Sequence, residues 1–127
     1  MSPPPSDRDV LFERFARALF KRDMDALYEV VAPRFVWQYH DGVSPEVVLN
    51  GREAILQHLE RNRTFYSASR FHDVVYHHHT DVSFMTFRVS ETVHSTGEQR
   101  EQRGIERYTF EDGLIATKDV YRKPIVL

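Results

Sequence analysis

Apolar residues recur at three- and four-residue spacing through Val10, Leu11, Phe15, Ala18 and Leu19, which places them on one stripe of a helix over residues 7–22. The Pro-rich start, residues 1–6, joins neither helix nor ladder and is expected to be a disordered tail ending at Ser6, an N-cap. Asp23 caps a second, shorter helix that turns Leu27, Val30 and Val31 inward and stops near Pro33, because proline disfavours helical geometry in the residue before it. Residues 35–40 are aromatic and β-branched and read as a strand. After a loop holding Gly42 and Pro45, Asn50-Gly-Arg-Glu53 has the form of a capping box. It opens a third helix with Ile55, Leu56 and Leu59 on the buried face.

In the second half the pattern alternates instead. Strand-like runs cover residues 70–79, 82–94, 99–110 and 114–122. Thr80-Asp81, Thr96-Gly97 and Glu111-Asp-Gly113 join them as short polar turns suited to hairpins. Helices followed by strands predict an α+β domain with a curved, mostly antiparallel sheet. The run Val82 to Val93 is apolar on both faces, with Val82 and Phe84 on one and Met85, Phe87, Val89 and Val93 on the other. Three helices can cover one face, so the other is expected to meet a second copy in a symmetric homodimer.

Composition narrows this further. A chain of 127 residues, 41% of them hydrophobic, suits a single domain over residues 7–127. Lys and Arg number 17 against 19 Asp and Glu, a balance that gives no reason to expect nucleic acid or an anionic membrane as partner. The absence of cysteine removes disulfides, thiol nucleophiles and Cys-based zinc sites. Without a basic, apolar leader or a membrane-length apolar run, the expected location is the cytoplasm. The glycines lack phosphate-loop spacing, and no cofactor is expected.

Four segments stand in a telling order: Phe12-Glu-Arg-Phe15 through Lys21-Arg-Asp23, Ala32-Pro-Arg-Phe-Val-Trp37, Asn50-Gly-Arg-Glu-Ala-Ile55, and Tyr108-Thr-Phe-Glu-Asp-Gly-Leu-Ile115 ahead of Asp119-Val-Tyr121. With the order of elements over residues 7–122, they resemble the nuclear transport factor 2-like superfamily, close to its SnoaL-like and ketosteroid isomerase branches. The resemblance implies a cone-shaped α+β barrel, three N-terminal helices on a curved sheet that encloses a deep cavity for a small organic molecule. It also implies a dimer contact on the convex sheet face.

Two known chemistries can be tested against that resemblance. Ketosteroid isomerisation needs a carboxylate base and two acidic hydrogen-bond donors for the enolate. Its base position falls on Tyr39, a phenol, and its donor tyrosine on Phe15, while the carboxylic acid position is kept as Glu106. Comparison with limonene epoxide hydrolase puts Arg88 on its arginine, but Ser90 and Val120 where it carries catalytic aspartates. Neither mechanism is complete here.

The residues that alternation and resemblance together aim into the cavity are Trp37, Tyr39, Arg88, Ser90, Glu106, Tyr108, Lys118 and Arg122, with Phe15 from the first helix. Either Glu106 is paired between Arg88 and Lys118 and becomes a base when substrate disturbs the pair, or an excess of cations holds a ligand carboxylate or enolate. A third outcome is an internal salt bridge that only fixes the sheet. His40-Asp41 at the end of the first strand is a further candidate for proton transfer, although neighbours on a strand point to opposite faces. His77 and His79 share a strand face, but two imidazoles make an incomplete metal site, and no metal is assigned. Charge alternation over residues 98–103 reads as a solvated strand edge.

Three functions fit this set. One is an isomerase- or cyclase-type enzyme that moves a proton at carbon next to a carbonyl through Glu106 with Tyr39 or His40. The others are a non-catalytic binder of a small aromatic or carboxylate-bearing metabolite, and a structural dimerisation module plugged by Trp37 and Tyr108.

Overall fold

A computed structural model describes residues 2–40 and 46–125. The loop with Gly42 and Pro45, and Asp41 with it, lies outside the described residues. Helix α1 (Pro5–Lys21) begins two residues earlier than its apolar stripe suggests and takes in Pro5 and Ser6, which the expected tail had claimed. Proline is tolerated at the first helical position, where an amide has no intrahelical acceptor anyway. Pro4, not Ser6, is the N-cap, and its carbonyl accepts the amides of Asp7 and Arg8.

Asp23 caps α2 (Met24–Leu27) as expected, its carboxylate accepting the Ala26 amide at 3.1 Å. The helix is a single turn, shorter than its apolar residues suggested. Val31 already begins strand β1 (Val31–His40), and Pro33 lies inside that strand where the pairing register shifts, the kind of irregularity that tolerates a missing N–H.

A short strand the sequence did not announce, β2 (Val47–Asn50), pairs with β1 and ends at Asn50. That removes Asn50 from the capping box. Helix α3 (Arg52–Phe65) is capped by Gly51 at φ 90°, with no side-chain bond to the free amides. Its buried face carries Ile55 and His58, with Leu59 partly buried, whereas Leu56 is exposed.

Four strands complete the chain: β3 (Tyr66–His78), β4 (Val82–Val93), β5 (Gln99–Glu111) and β6 (Leu114–Pro124). They form the expected antiparallel meander within a six-stranded sheet of order β2-β1-β6-β5-β4-β3, in which β1 runs parallel to β6. Asp112 and Gly113 both take positive φ, which a two-residue hairpin turn requires.

Phe12 of α1 touches both Tyr76 on β3 and Tyr108 on β5, with ring centroids at 4.9 and 4.7 Å, so the sheet curls around this helix. Buried Arg8, one helical turn earlier, donates to the carbonyls of Thr80 and His79 and to Ser83 Oγ, and ties α1 to the β3–β4 turn. Among the described residues no helix is long and apolar enough to cross a membrane.

Gly104 on β5 sits beneath the Phe87 ring. A Cβ there would lie 2.5 Å from Phe87 Cζ and 2.7 Å from the Tyr121 carbonyl oxygen, and the backbone oxygen cannot swing away. Gly104→Ala is therefore expected to destabilise the fold by about 1–3 kcal/mol, seen as a lower urea midpoint at unchanged slope.

Candidate functional site

Register fixes which side chains share the concave face. Trp37, Lys118, Tyr108, Ser83 and His78 are cross-strand partners in one continuous row, and Tyr39, Val120, Glu106, Met85 and Tyr76 form the next. Helices α1 and α3 cover these rows, through Phe12 and Phe15 on Tyr108 and through His58 on Trp37 and Tyr39. Of the expected residues, the structure thus brings together Phe15, Trp37, Tyr39, Glu106, Tyr108 and Lys118, with Arg122 four residues beyond Lys118 on β6.

Arg88 and Ser90 do not join them. The buried members of β4 are Ser83, Met85, Phe87, Val89, Glu91 and Val93, so the intervening Arg88 and Ser90 belong to the convex face. There Ser90 Oγ donates to Glu101 at 2.5 Å, Arg88 approaches the same carboxylate at 3.4 Å, and His72 lies 3.1 Å from Ser90 Oγ. The hydroxyl bond is the first cause, ahead of the guanidinium, that holds the Glu101 carboxyl below its usual range. His40 is also on the convex side, paired in register with Tyr121, away from Tyr39. One-residue alternation is the physical reason in each case. The arginine expected from the epoxide hydrolase comparison is turned away from the interior.

The central cluster is compact. Glu106, 2% exposed, accepts a short hydrogen bond from the Tyr108 hydroxyl and lies 3.5 Å from Lys118 Nζ. The ammonium nitrogen sits over the Trp37 ring at 4.3 Å and the Phe15 ring at 5.4 Å. Burial lowers the Lys118 pKa, with Glu106 opposing and Arg122 adding to the shift. Burial, reinforced by the Glu106 charge, raises Tyr108 well above an ordinary phenol and pushes Tyr76 up to about 12. Both phenols are therefore hydroxyl donors at neutral pH, and Glu106 is the group able to accept a proton. The Trp37 indole N–H is buried with no hydrogen-bond partner among the described residues.

A second ion pair was not foreseen. Arg122 lies 3.5 Å from Glu91, a carboxylate with 5% side-chain exposure, and its guanidinium rests 5.6 and 5.5 Å from the Phe71 and Phe87 rings. Two buried or half-buried cations are thus matched by two carboxylates. The expected excess of cations is absent from the concave face, because Arg88 is outside and Glu91 is inside.

His58 was also missed. Its ring packs edge-on to Trp37 at 4.9 Å and tilted against Tyr39 at 5.0 Å, and Nε2 accepts from the Asn62 side-chain amide at 3.1 Å. Burial first, then the charges of Arg61, Lys118 and Arg122, lower its pKa to about 4, so the imidazole is neutral at pH 7. The signal was available: Ile55, His58, Leu59 and Asn62 follow helical spacing along α3. A histidine on an otherwise aliphatic stripe was passed over.

The deep end of the concave face is packed with the rings of Phe12, Phe15 and Tyr108, while half-buried Tyr39 and Arg122 mark the end that solvent reaches. The triple histidine divides. His78 turns inward, 2.8 Å from Ser83 Oγ and 2.9 Å from Asp9; His77 pairs in register with Phe84, and the His79 ring packs edge-on to Phe84. Among the described residues no three His, Asp or Glu side chains group as metal ligands.

The profile of the SnoaL-like domain matches residues 12–118 of the chain. No curated protein matches. Among solved structures, a nuclear transport factor 2-like protein from Burkholderia xenovorans is 14% identical, with a TM-score of 0.80 over 92% of this chain and 89% of that one. A candidate polyketide cyclase from Xanthomonas campestris is 20% identical, TM-score 0.70, over 89% and 87%. A protein with a ketosteroid isomerase-like fold from Catenulispora acidiphila, solved in complex with trimethylamine, is 12% identical, TM-score 0.70, over 95% and 86%. At these identities the likeness is one of fold.

His58 makes the site's pH response testable. Its pKa is lower in the folded chain than the ordinary 6.5 of an unfolded one, so its contribution to stability is whole above pH 6.5 and is lost as pH falls towards about 4. Urea midpoints measured from pH 7 to pH 4 are expected to fall less steeply in His58→Gln than in the unaltered protein.

Proposed function

Because the chain belongs to the SnoaL-like family, we propose that it is a small-molecule enzyme of the isomerase or cyclase type, moving a proton at carbon next to a carbonyl. The observation that carries this reading is Glu106: a carboxylate enclosed by the sheet and α1, held by a phenol that keeps its proton and faced by a lysine. Enolisation needs a base at the α-carbon and a positive or hydrogen-bonding group where charge collects on oxygen. Glu106 is the base. Lys118 and the unpartnered Trp37 N–H are the groups on hand for the oxygen. Tyr39, His58 and Arg122 line the solvent-facing end, where an aromatic substrate would stack. His40 takes no part in this scheme, since it faces the other side of the sheet.

Neighbours of the same fold described as a candidate polyketide cyclase and a candidate isomerase suit this chemistry, and another was crystallised in complex with trimethylamine, a small organic molecule. Pure capture of a carboxylate-bearing metabolite is the weaker reading, because Lys118 and Arg122 each already have a carboxylate beside them, and buried Arg8 spends its donors on backbone carbonyls and the Ser83 hydroxyl. An incoming carboxylate would have to displace one of them.

The test is hydrogen–deuterium exchange at the α-carbon of acetone, acetophenone and related alkyl and aryl ketones in D2O, followed by NMR. The protein is expected to accelerate exchange of at least one ketone, and Glu106→Gln to slow it by about 10²-fold or more with the fold intact. Acceleration that Glu106→Gln leaves untouched would refute the assignment.

Homodimerisation through the convex face is proposed on separate grounds. Ile105 and Tyr121 are cross-strand neighbours there, 38% and 47% exposed, with Thr86 beside Ile105 and partly buried Phe84 one step along β4 on the same face. Exposed apolar side chains on an open sheet face are what a second copy would bury. Light scattering is expected to give twice the 15.0 kDa chain mass, and the Ile105→Arg protein the mass of one chain.

A further inference from the structure

We infer that Lys118 acts covalently on this reaction, its side-chain amine condensing with the substrate carbonyl to form an iminium that Glu106 then deprotonates at the neighbouring carbon. The inference rests on the proposed proton transfer and adds the identity of the electron sink: the substrate class becomes aldehydes and ketones whose carbonyl is open to an amine.

Three features of the interior point to it. First, the chain has three lysines, and Lys21 and Lys123 are exposed while Lys118 is 7% exposed. Burying an ammonium costs free energy that an apolar side chain of similar size would not, so a lone internal lysine in a row of aromatic residues is poorly explained by stability. Second, the Nζ is held at a fixed place in the interior. It lies across the faces of Trp37 and Phe15, which fix the four-carbon stem, and its carboxylate partner stands 3.5 Å off while sharing the same oxygen with Tyr108. Third, the indole beneath it holds a buried N–H with no acceptor among the described residues, a donor still unused in the same cluster.

Burial, opposed by the Glu106 charge and joined by that of Arg122, works against the ammonium form, a condition that helps turn a lysine into a nucleophile. The proton has a destination. Lys118 passes it to the Glu106 carboxylate, and the free amine attacks the carbonyl carbon as the π pair of the carbonyl moves to oxygen. A proton shifts from nitrogen to that oxygen. Protonated Glu106 then gives its proton to the hydroxyl, the C–O bond breaks, and water leaves as the C=N bond forms. Glu106, again a carboxylate, removes the α-proton; the C–H pair becomes C=C and the iminium π pair settles on nitrogen. Reprotonation at carbon and addition of water release the rearranged carbonyl compound and restore the amine. No oxidant or reductant enters.

The cycle accounts for why one carboxylate suffices where enolisation without covalent help uses a base and two acidic donors. An iminium draws the α-proton's electrons more strongly than a hydrogen-bonded carbonyl does, so the donors become dispensable.

The experiment is reductive trapping on the full chain. Acetone and acetophenone are each added with sodium cyanoborohydride, intact mass is followed over time, and the modified peptide is mapped. One adduct is expected on Lys118, forming at least about tenfold faster than any on Lys21 or Lys123. Lys118→Arg is expected to lose it. Should that variant fail to fold, Lys21→Arg/Lys123→Arg leaves Lys118 as the sole lysine and is expected to keep the adduct. Labelling confined to Lys21, Lys123 or the chain terminus overturns the inference. If such protein still shows Glu106-dependent α-exchange, the proposed proton transfer stands without the imine; a Lys118 adduct with no Glu106-dependent exchange would sink the proton-transfer role instead.

Discussion

A lysine and a glutamate held 3.5 Å apart inside a curled sheet set terms that the surrounding structure has to meet. Charges taken out of water are tolerated only when each has a partner and the remaining hydrogen-bonding capacity is used. Here the Tyr108 hydroxyl occupies one Glu106 oxygen, and the Trp37 and Phe15 rings supply their negative faces to the ammonium. These contacts come from strands β1, β5 and β6 and from helix α1. The pair can therefore exist only when the sheet has closed over the helix, and tertiary assembly, rather than any one element, creates the site.

Closure in turn depends on two tight places. The curl brings Phe12 against both β3 and β5, and Arg8 holds the β3–β4 turn to the same helix through four hydrogen-bond acceptors. Further along the sheet, the lack of a side chain at Gly104 lets Phe87 lie flat on β5, and Arg122 rests on that ring to reach Glu91. Backbone approach at one glycine thus positions the cation that also disfavours the charged forms of Lys118 and His58.

Most of the fold was legible because it follows from periodicity. The stripe of α1, the cap at Asp23, and four alternating runs with polar turns are local signals, and the strands fall close to where they predict, except that β3 begins at Tyr66, four residues before the expected start, directly after α3. What failed was non-local. β2 is four residues long and exists by pairing with β1, so no internal pattern marks it; once it claims Asn50, the capping box has no cap. Val31 left the second helix for the same reason, drawn into β1 by its partner Ile115 on β6.

The site was legible where strand alternation was followed and lost where positions were carried over by resemblance alone. Trp37, Tyr39, Glu106, Tyr108 and Lys118 share one face, as their spacing allows. On β4 the sequence already separated Met85, Phe87 and Val89 from Val82 and Phe84, and Arg88 and Ser90 go with the second set; matching them to another enzyme's arginine and aspartate overrode that parity. The same parity admits Glu91 to the interior. Its presence changes the chemistry that can be argued, because a concave face holding two matched pairs has no surplus charge to attract an anion. Such a face can exchange a proton within a pair at little electrostatic cost, since Lys118–Glu106 is neutral in sum before and after the transfer. Proton movement, more than anion capture, is what this arrangement of charges makes easy.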